Sequence, residues 1–419
     1  MSKTFYALYF ALGPVYWLPG LSPNTIQVCK LLLFGFLSWK IIIAWARGRR
    51  FPIFKTSFLF FLPFLAVTLV SIAMHGGLEA DLSVAINLLL PMCVMCVVPT
   101  LAKSDREAIF EGIKRSPIYF SVIASFVPIG LIIPALNWAN PYADASTAEF
   151  FIGQTYTGFG GSRTGWSLGA SLMCAVALAN FGYADTFRTK ISTLLVFSII
   201  SVSIFIPAGR AGIFAVAGMM LVLAALGGFN KATFAKSGVI LIIFSILLTF
   251  AIIFADELRL DMLFAGQLAE GSTGRSEGYQ IALRLLSTEP WFGVGVKASD
   301  LRYYGLDYNE IHNAILNYVT RFGLLALAPG LLLFAWLIIL MYVKRKRAFR
   351  SHIIMCAILS MTSIGIITFT EPVSGFGVFH CVIIYWFLMA LFVGENAGSR
   401  SISGFKKRCH QANNGIRRI

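Results

Sequence analysis

Long apolar stretches recur along the whole chain and are separated by short polar segments. A helix needs roughly 17–25 apolar residues to cross a hydrocarbon core roughly 30 Å thick, and all of these stretches reach at least the lower end of that range. Lipid cannot satisfy exposed backbone groups, and the stretches are too long and too uniformly apolar for barrel strands. The pattern therefore predicts about twelve transmembrane helices. They fall near residues 4–20, 24–46, 57–74, 82–101, 117–137, 164–183, 191–207, 210–226, 238–255, 314–343, 353–370 and 377–394.

The composition agrees with a polytopic membrane protein. Hydrophobic residues make up 58% of the 419 residues, aromatic residues make up 14%, and the mean hydropathy is +0.78. We therefore expect a single all-α integral membrane domain over residues 1–394, followed by a basic tail over residues 395–419. Two outward loops are long, at about 137–163 and 256–312, and the larger one lies between the ninth and tenth predicted helices. Function is expected at these loops and at the helix ends beside them.

The net charge of +15 indicates the orientation in the membrane rather than nucleic-acid binding. Basic residues cluster in alternate loops, all on the same side of a twelve-span path. The positive-inside rule makes that side cytoplasmic and places both termini there. The clusters lie within residues 47–55, 103–115, 344–347 and 406–418.

Three arginines and one histidine lie on the other, outward side, where ionisable groups at a span end point to function. Arg210 lies in a tight turn, Pro-Ala-Gly-Arg-Ala-Gly, whose small neighbours leave its side chain room to enter a cavity. Arg163 opens the sixth span in Gly-Gly-Ser-Arg-Thr-Gly-Trp, and a snorkelling arginine is the alternative for it. For His312, the alternative to a proton acceptor is a structural histidine.

Part of the second loop has a helical pattern. Ser272 or Thr273 can cap a helix that begins near Arg275, and Pro290 with the glycines after it ends that helix. Arg275 would then lie in the first turn, where unpaired N–H groups and the helix dipole favour an anion. A guanidinium adds bidentate hydrogen bonding to a phosphate. The alternative for Arg275 is a surface salt bridge with Glu277 or Glu270.

The end of the same loop is predicted to lead directly into the tenth span. Asp307 and Glu310 have the spacing of a capping box for that helix. His312 is therefore expected in its first turns.

Several short motifs together resemble the signature of the O-antigen ligase/polymerase superfamily of bacterial envelope proteins. The turn Ala-Gly-Arg-Ala-Gly at residues 208–212 resembles an element that precedes this signature in the same family. The resemblance covers roughly residues 200–330. The motifs are Gly274-Arg275 with Tyr279 and Ala282, Pro-Trp-Phe-Gly-Val-Gly at 290–295, His312-Asn313, and Gly-Leu-Leu at 323–325.

This resemblance implies a GT-C-like helical fold and a metal-independent, inverting glycosyltransferase of the bacterial inner membrane. Its substrates would be glycans linked to undecaprenyl diphosphate, used as donor and acceptor on the periplasmic side. The diphosphate-binding arginines of the family fall on Arg210 and Arg275, Arg163 is a further candidate, and the family histidine falls on His312. No metal site and no cofactor are expected, and the partners besides the glycans are the bilayer and, as a candidate, a chain-length regulator.

The segment Gly-Ser-Arg-Thr-Gly-Trp at residues 161–166 looks more like the repeat-unit polymerases than the ligases. The favoured function is therefore polymerisation of lipid-linked repeat units into O-antigen, capsule or exopolysaccharide. One alternative is a ligase that transfers the finished glycan to a lipid A core. An alternative from another class is a transporter or flippase of lipid-linked sugars, although no paired halves are visible in the sequence. A purely structural membrane scaffold is the remaining possibility.

Overall fold

A computed structural model of the chain describes residues 3–16, 18, 21–46, 55–75, 89–132, 159–160, 163–205, 210–227, 271–306, 310–371 and 381–395. These residues form helices and turns and contain no β-strand, apart from an isolated bridge between Leu18 and Leu21. The predicted all-α class is therefore confirmed for this part of the chain.

Twelve helices are labelled here in chain order, among the residues that the structure describes. The first five are α1 (Lys3–Leu12), α2 (Pro23–Ala46), α3 (Lys55–His75), α4 (Leu89–Thr100) and α5 (Lys103–Ile132). The next four are α6 (Arg163–Gly182), α7 (Phe187–Phe205), α8 (Arg210–Gly227) and α9 (Gly271–Thr288). The last three are α10 (Ala314–Lys344), α11 (His352–Thr370) and α12 (Cys381–Glu395).

Five of the described segments are long and apolar enough to cross a membrane: Ser57–His75, Thr164–Gly182, Phe187–Phe205, Ala314–Arg347 and His352–Thr370. Three shorter apolar helices are present at Leu89–Thr100, Ala211–Leu226 and Cys381–Glu395. These segments support a multi-pass membrane protein. They do not establish the predicted number of twelve spans, and the predicted span at 238–255 lies outside the described residues.

The first predicted span, at residues 4–20, is wrong in its extent. Helix α1 has 10 residues and ends at Leu12. At 1.5 Å per residue it rises about 15 Å, which is half of a hydrocarbon core. The helix ends where Gly13 and Pro14 follow, because proline lacks a backbone donor and disfavours the helical conformation of the residue before it. The buried ammonium of Lys30 donates a hydrogen bond to the Gly13 carbonyl oxygen, at 2.9 Å, and so satisfies a group that the helix end leaves unpaired.

Helix α6 lies at the centre of the described bundle and packs against α5, α7, α8 and α11. In its span 83% of the residues are buried, against 28% in α7. Small side chains allow this close approach. If Gly212 of α8 carried a Cβ atom, that atom would lie only 2.9 Å from the Cβ atom of Ser167 in α6. The indole N–H of Trp166, which is fully buried, donates to the Ser203 carbonyl oxygen of α7 at 2.8 Å.

Helix α10 is broken at Gly323, whose φ is +81°. In an unbroken helix the Leu324 N–H would donate to the Thr320 carbonyl. Here that N–H donates to the Pro290 carbonyl oxygen at 2.9 Å, and the Thr320 carbonyl accepts from the Val294 N–H, also at 2.9 Å. The turn at residues 290–295 therefore supplies the backbone partners that the break removes.

Helix α3 holds the same turn from its other side. The Ser71 hydroxyl donates to the Phe292 carbonyl oxygen at 2.5 Å, and His75 Nε2 lies 2.6 Å from the Gly293 carbonyl oxygen. Gly293 has φ +70° and lies against the backbone of Arg321. The glycine-rich motif that contributes to the family resemblance is thus a backbone junction between α3, α9 and α10.

We expect Gly323→Ala to destabilise the protein by at least roughly 1–3 kcal/mol, because an L side chain is strained at this φ. Its Cβ atom would also overlap the Trp291 carbonyl oxygen. Gly182→Ala is the matched control, since a Cβ atom there meets nothing within 4 Å. The measurement is thermal unfolding of detergent-purified variants. Equal unfolding midpoints for the two variants would show that the junction at Gly323 does not stabilise the protein.

Candidate functional site

Glu371, at the end of α11, joins the starts of two other helices. Its Oε2 atom accepts a hydrogen bond from the Thr164 hydroxyl of α6 at 3.3 Å and lies 3.3 Å from Nδ1 of His312, just before α10. The Glu371 side chain is 14% exposed and that of His312 is 30% exposed. The sequence reasoning missed Glu371, although an acidic residue directly after the apolar stretch at 353–370 was a signal for it.

The tenth span begins at Ala314, as predicted, but the structure corrects its predicted cap. Asn313 is the N-cap of α10, because its side-chain oxygen accepts from the Leu316 N–H at 2.9 Å. His312 therefore precedes the cap instead of lying in the first turns. Glu310 takes no part in a capping box, because its carboxylate pairs with Arg321 at 3.0 Å. Asp307 lies outside the described residues.

The contact with Glu371 defines which imidazole nitrogen of His312 is available for chemistry. An ionised carboxylate can only accept a hydrogen bond. Nδ1 therefore carries the proton and donates a hydrogen bond to the Glu371 carboxylate. In a neutral imidazole with its proton on Nδ1, Nε2 is the basic nitrogen, the one that can accept a proton from a hydroxyl group. A second bond fixes the backbone here, since the Tyr279 hydroxyl donates to the His312 carbonyl oxygen at 2.9 Å.

Arg275 lies one turn later in its helix than the sequence predicts. Helix α9 begins at Gly271, so Arg275 is its fifth residue, and Ser272 and Thr273 lie inside the helix instead of capping it. Arg275 is partly buried and makes no ion pair with Glu277. Glu270, the other partner considered, lies outside the described residues.

Arg275 lies on the same face of α9 as the tyrosine that contacts the histidine segment. It precedes Tyr279 by four residues, and residues at this spacing are neighbours on a helix surface. The Tyr279 hydroxyl donates to the His312 carbonyl. The backbone of Arg275 is one helical turn from the tyrosine that makes this contact. The fold therefore connects the helix of Arg275 to the His312 segment through Tyr279.

Arg163 and Arg210 are the first residues of α6 and α8, and these two helices pack against each other. Gly212, two residues after Arg210, is in contact with Ser167, one turn after Arg163. Thr164, the neighbour of Arg163, binds Glu371. Both arginines therefore start their helices at the same end of the bundle as the His312–Glu371 pair.

The electrostatics of this end of the bundle favour an anion. The starts of α6, α8 and α10 converge there, and a helix start carries a partial positive charge and unpaired N–H groups. Glu371 lies at the end of α11, where the dipole disfavours a carboxylate, but its two hydrogen-bond partners come from the starts of α6 and α10. Positive helix ends therefore lie beside one partly buried carboxylate, that of Glu371.

The family model for O-antigen ligase matches residues 194–331. This match confirms the predicted resemblance to the O-antigen ligase/polymerase superfamily, and it covers about a third of the 419 residues. Residues 194–331 are therefore similar to the O-antigen ligase family, and the apolar helices indicate a multi-pass membrane protein. Arg210, Arg275 and His312 fall inside the match, whereas Arg163 and Glu371 fall outside it. No curated protein matches the chain.

Proposed function

We propose that the protein is a membrane glycosyltransferase that polymerises undecaprenyl-diphosphate-linked repeat units into O-antigen, capsule or exopolysaccharide. The reaction takes place on the periplasmic side of the inner membrane, with both termini in the cytoplasm. The observation that carries the proposal is the contact of His312 with Glu371. Arg163 and Arg210 are the first residues of helices that begin at this end of the bundle, and Arg275 lies near the start of α9.

Arg210 and Arg275, together with Arg163, bind the diphosphate of the donor. The helix starts beside them supply further N–H groups, and guanidinium groups form bidentate hydrogen bonds with phosphate oxygens. Negative charge grows on the diphosphate as the bond between sugar C1 and the phosphate oxygen breaks. Each donor aimed at that charge contributes on the order of 10²–10³ to the rate. The arginines act here in place of a divalent metal ion.

His312 acts on the acceptor. Its Nε2 atom accepts the proton of an acceptor hydroxyl while that oxygen forms a bond to C1, and the diphosphate leaves with the electrons of the broken bond. Attack opposite the leaving group inverts the configuration at C1. Glu371 is the positioning residue, because it holds the proton on Nδ1 and so makes Nε2 the basic nitrogen. A positioned base contributes roughly 10²–10⁴ to the rate.

A ligase is the second candidate, because the family model that matches residues 194–331 is described as O-antigen ligase. A ligase would use the same donor chemistry and differ in the acceptor, a lipid A core in place of a second lipid-linked glycan. The likeness of residues 161–166 to repeat-unit polymerases favours the polymerase. A transporter or flippase of lipid-linked sugars would move the substrate and form no new glycosidic bond.

The direct test is a transfer reaction with purified protein in detergent. Given undecaprenyl-diphosphate-linked repeat units, the wild-type protein should form longer glycans in the presence of EDTA, because arginines take the place of a metal. Loss of turnover in EDTA with recovery on adding Mg²⁺ or Mn²⁺ would refute metal independence. The carboxylates to study next would then be Glu79, Asp81, Asp256 and Glu257, all outside the described residues.

The acceptor decides between the candidates in the same reaction. Glycan attached only to an added lipid A core would identify a ligase and leave the chemistry at C1 unchanged. Movement of lipid-linked sugar across vesicles without any new glycosidic bond would identify a transporter.

Substitution of the arginines separates charge from geometry. Arg210→Lys and Arg275→Lys keep the positive charge but lose the bidentate fork, so we expect polymer formation to fall on the order of 10²-fold at normal protein abundance. Arg302→Lys is the matched control, because Arg302 is 63% exposed and pairs with Asp300 on the surface. Full activity of the two site variants would refute the proposal that Arg210 and Arg275 bind the diphosphate.

Substitution at the histidine pair should affect the acceptor step alone. His312→Ala and Glu371→Gln should each lower kcat on the order of 10²–10⁴-fold and leave the KM for the lipid-linked donor unchanged, because the diphosphate is held elsewhere. Glu289→Gln, at an exposed glutamate just after α9, is the control. An equal rise in the donor KM for both site variants would place this pair at the donor and contradict the assignment.

A further inference from the structure

Arg321 is a charged residue on an otherwise apolar span, and its side chain is 13% exposed. Its Nη1 atom donates to Glu310 Oε1 at 3.0 Å, and its Nε atom donates to the Ser299 hydroxyl at 3.2 Å. These three residues are called the Arg321 cluster. A charge inside a span is costly and is usually retained for function. The sequence motifs and the proposed reaction leave this arginine without a role.

The backbone of Arg321 is held in place by the junction at the helix break. Gly323 follows two residues later, and the Gly293 turn lies directly against the Arg321 carbonyl group. The Val294 N–H donates to the carbonyl of Thr320, the residue before Arg321. The guanidinium group therefore projects from a fixed base on α10.

Arg321 reaches the segment that carries the histidine. It lies eight residues after the N-cap Asn313, and side chains of a helix lean toward its N-terminus, so the guanidinium group extends back along α10. Its partner Glu310 is two residues before His312. A displacement of Glu310 would therefore be passed along a short stretch of backbone to the imidazole.

The stretch between Glu310 and the helix start is already stiff. Ile311 is fully buried in a small cluster with Ala282 of α9 and Leu301. The Asn313 N–H donates to the Ile311 carbonyl oxygen at 2.7 Å, which closes a tight turn around His312. A stiff segment transmits a shift at one end to the other end.

We propose that the Arg321 cluster sets the position of His312 for the acceptor step. Tyr279 and Glu371 hold His312, and Asn313 is fixed as the N-cap of α10. The Arg321 cluster fixes the residues before His312. This inference rests on the proposed function, since it assigns Arg321 and Glu310 as positioning residues for the same histidine. Neither residue touches the substrate.

The test compares Arg321→Gln and Glu310→Gln with the control Arg302→Gln in the purified full-length protein. Glu310→Gln is the milder change, because this side chain is 34% exposed and the amide keeps a hydrogen-bond acceptor. Kinetics of glycan transfer give kcat and the donor KM, and thermal unfolding gives the midpoint. The rate at which diethyl pyrocarbonate modifies His312, followed by mass spectrometry, reports the freedom of the imidazole without any need for catalysis.

We expect kcat to fall on the order of 10²-fold in both cluster variants, because a displacement of about 1 Å is enough for such a loss. The donor KM should stay unchanged, the midpoint of Glu310→Gln should equal that of the control, and His312 should be modified several-fold faster. The double variant Arg321→Glu with Glu310→Arg should regain activity over the Arg321→Glu single variant.

Two results would overturn the inference. One is a modification rate and a kcat for Glu310→Gln equal to those of Arg302→Gln. The other is a loss in which kcat, the donor KM and the midpoint all change together, which would make the cluster a general stabilising contact. A wild-type protein that transfers no glycan would refute the proposed function instead, and the modification rates alone would then decide whether the cluster holds His312.

Discussion

A backbone group inside a membrane protein needs a partner within the protein, because lipid supplies none. The break of α10 at Gly323 removes helical hydrogen bonds, and the turn at residues 290–295 replaces them. The arrangement of three helices at this end of the described structure depends on this replacement. It fixes α9 beside α10, places Arg321 against Gly293, and joins both to α3 through Ser71 and His75.

In the candidate site, too, backbone groups at helix ends need partners that the helices do not supply. The starts of α6, α8 and α10 converge around Glu371, so N–H groups left unpaired by the helices face a common region. An anion bound in this region would meet positive helix ends. Glu371 is the opposite charge in this region, and its effect is local, because it binds Nδ1 of His312 and the hydroxyl of Thr164.

Short-range rules of sequence gave helix ends that the structure corrects in three places. The span at 4–20 was predicted from hydropathy, which does not register that Gly13 and Pro14 end α1. The capping spacing of Asp307 and Glu310 was misleading, because Glu310 has a stronger partner in Arg321 and Asn313 caps α10. Helix α9 begins before its predicted caps. In the first two cases a residue or contact outside the pattern accounts for the boundary.

The sequence by itself determined the all-α membrane class, most of the described helices and the family resemblance, because long apolar stretches and glycine-rich motifs are local signals. It also singled out Arg163, Arg210, Arg275 and His312, since charged groups at outward helix ends stand out from their neighbours. Only the tertiary structure brought Glu371 to His312 and Glu310 to Arg321. Those pairs are separated along the chain by 59 and 11 residues, and no periodicity or capping rule encodes which helix ends will meet in space.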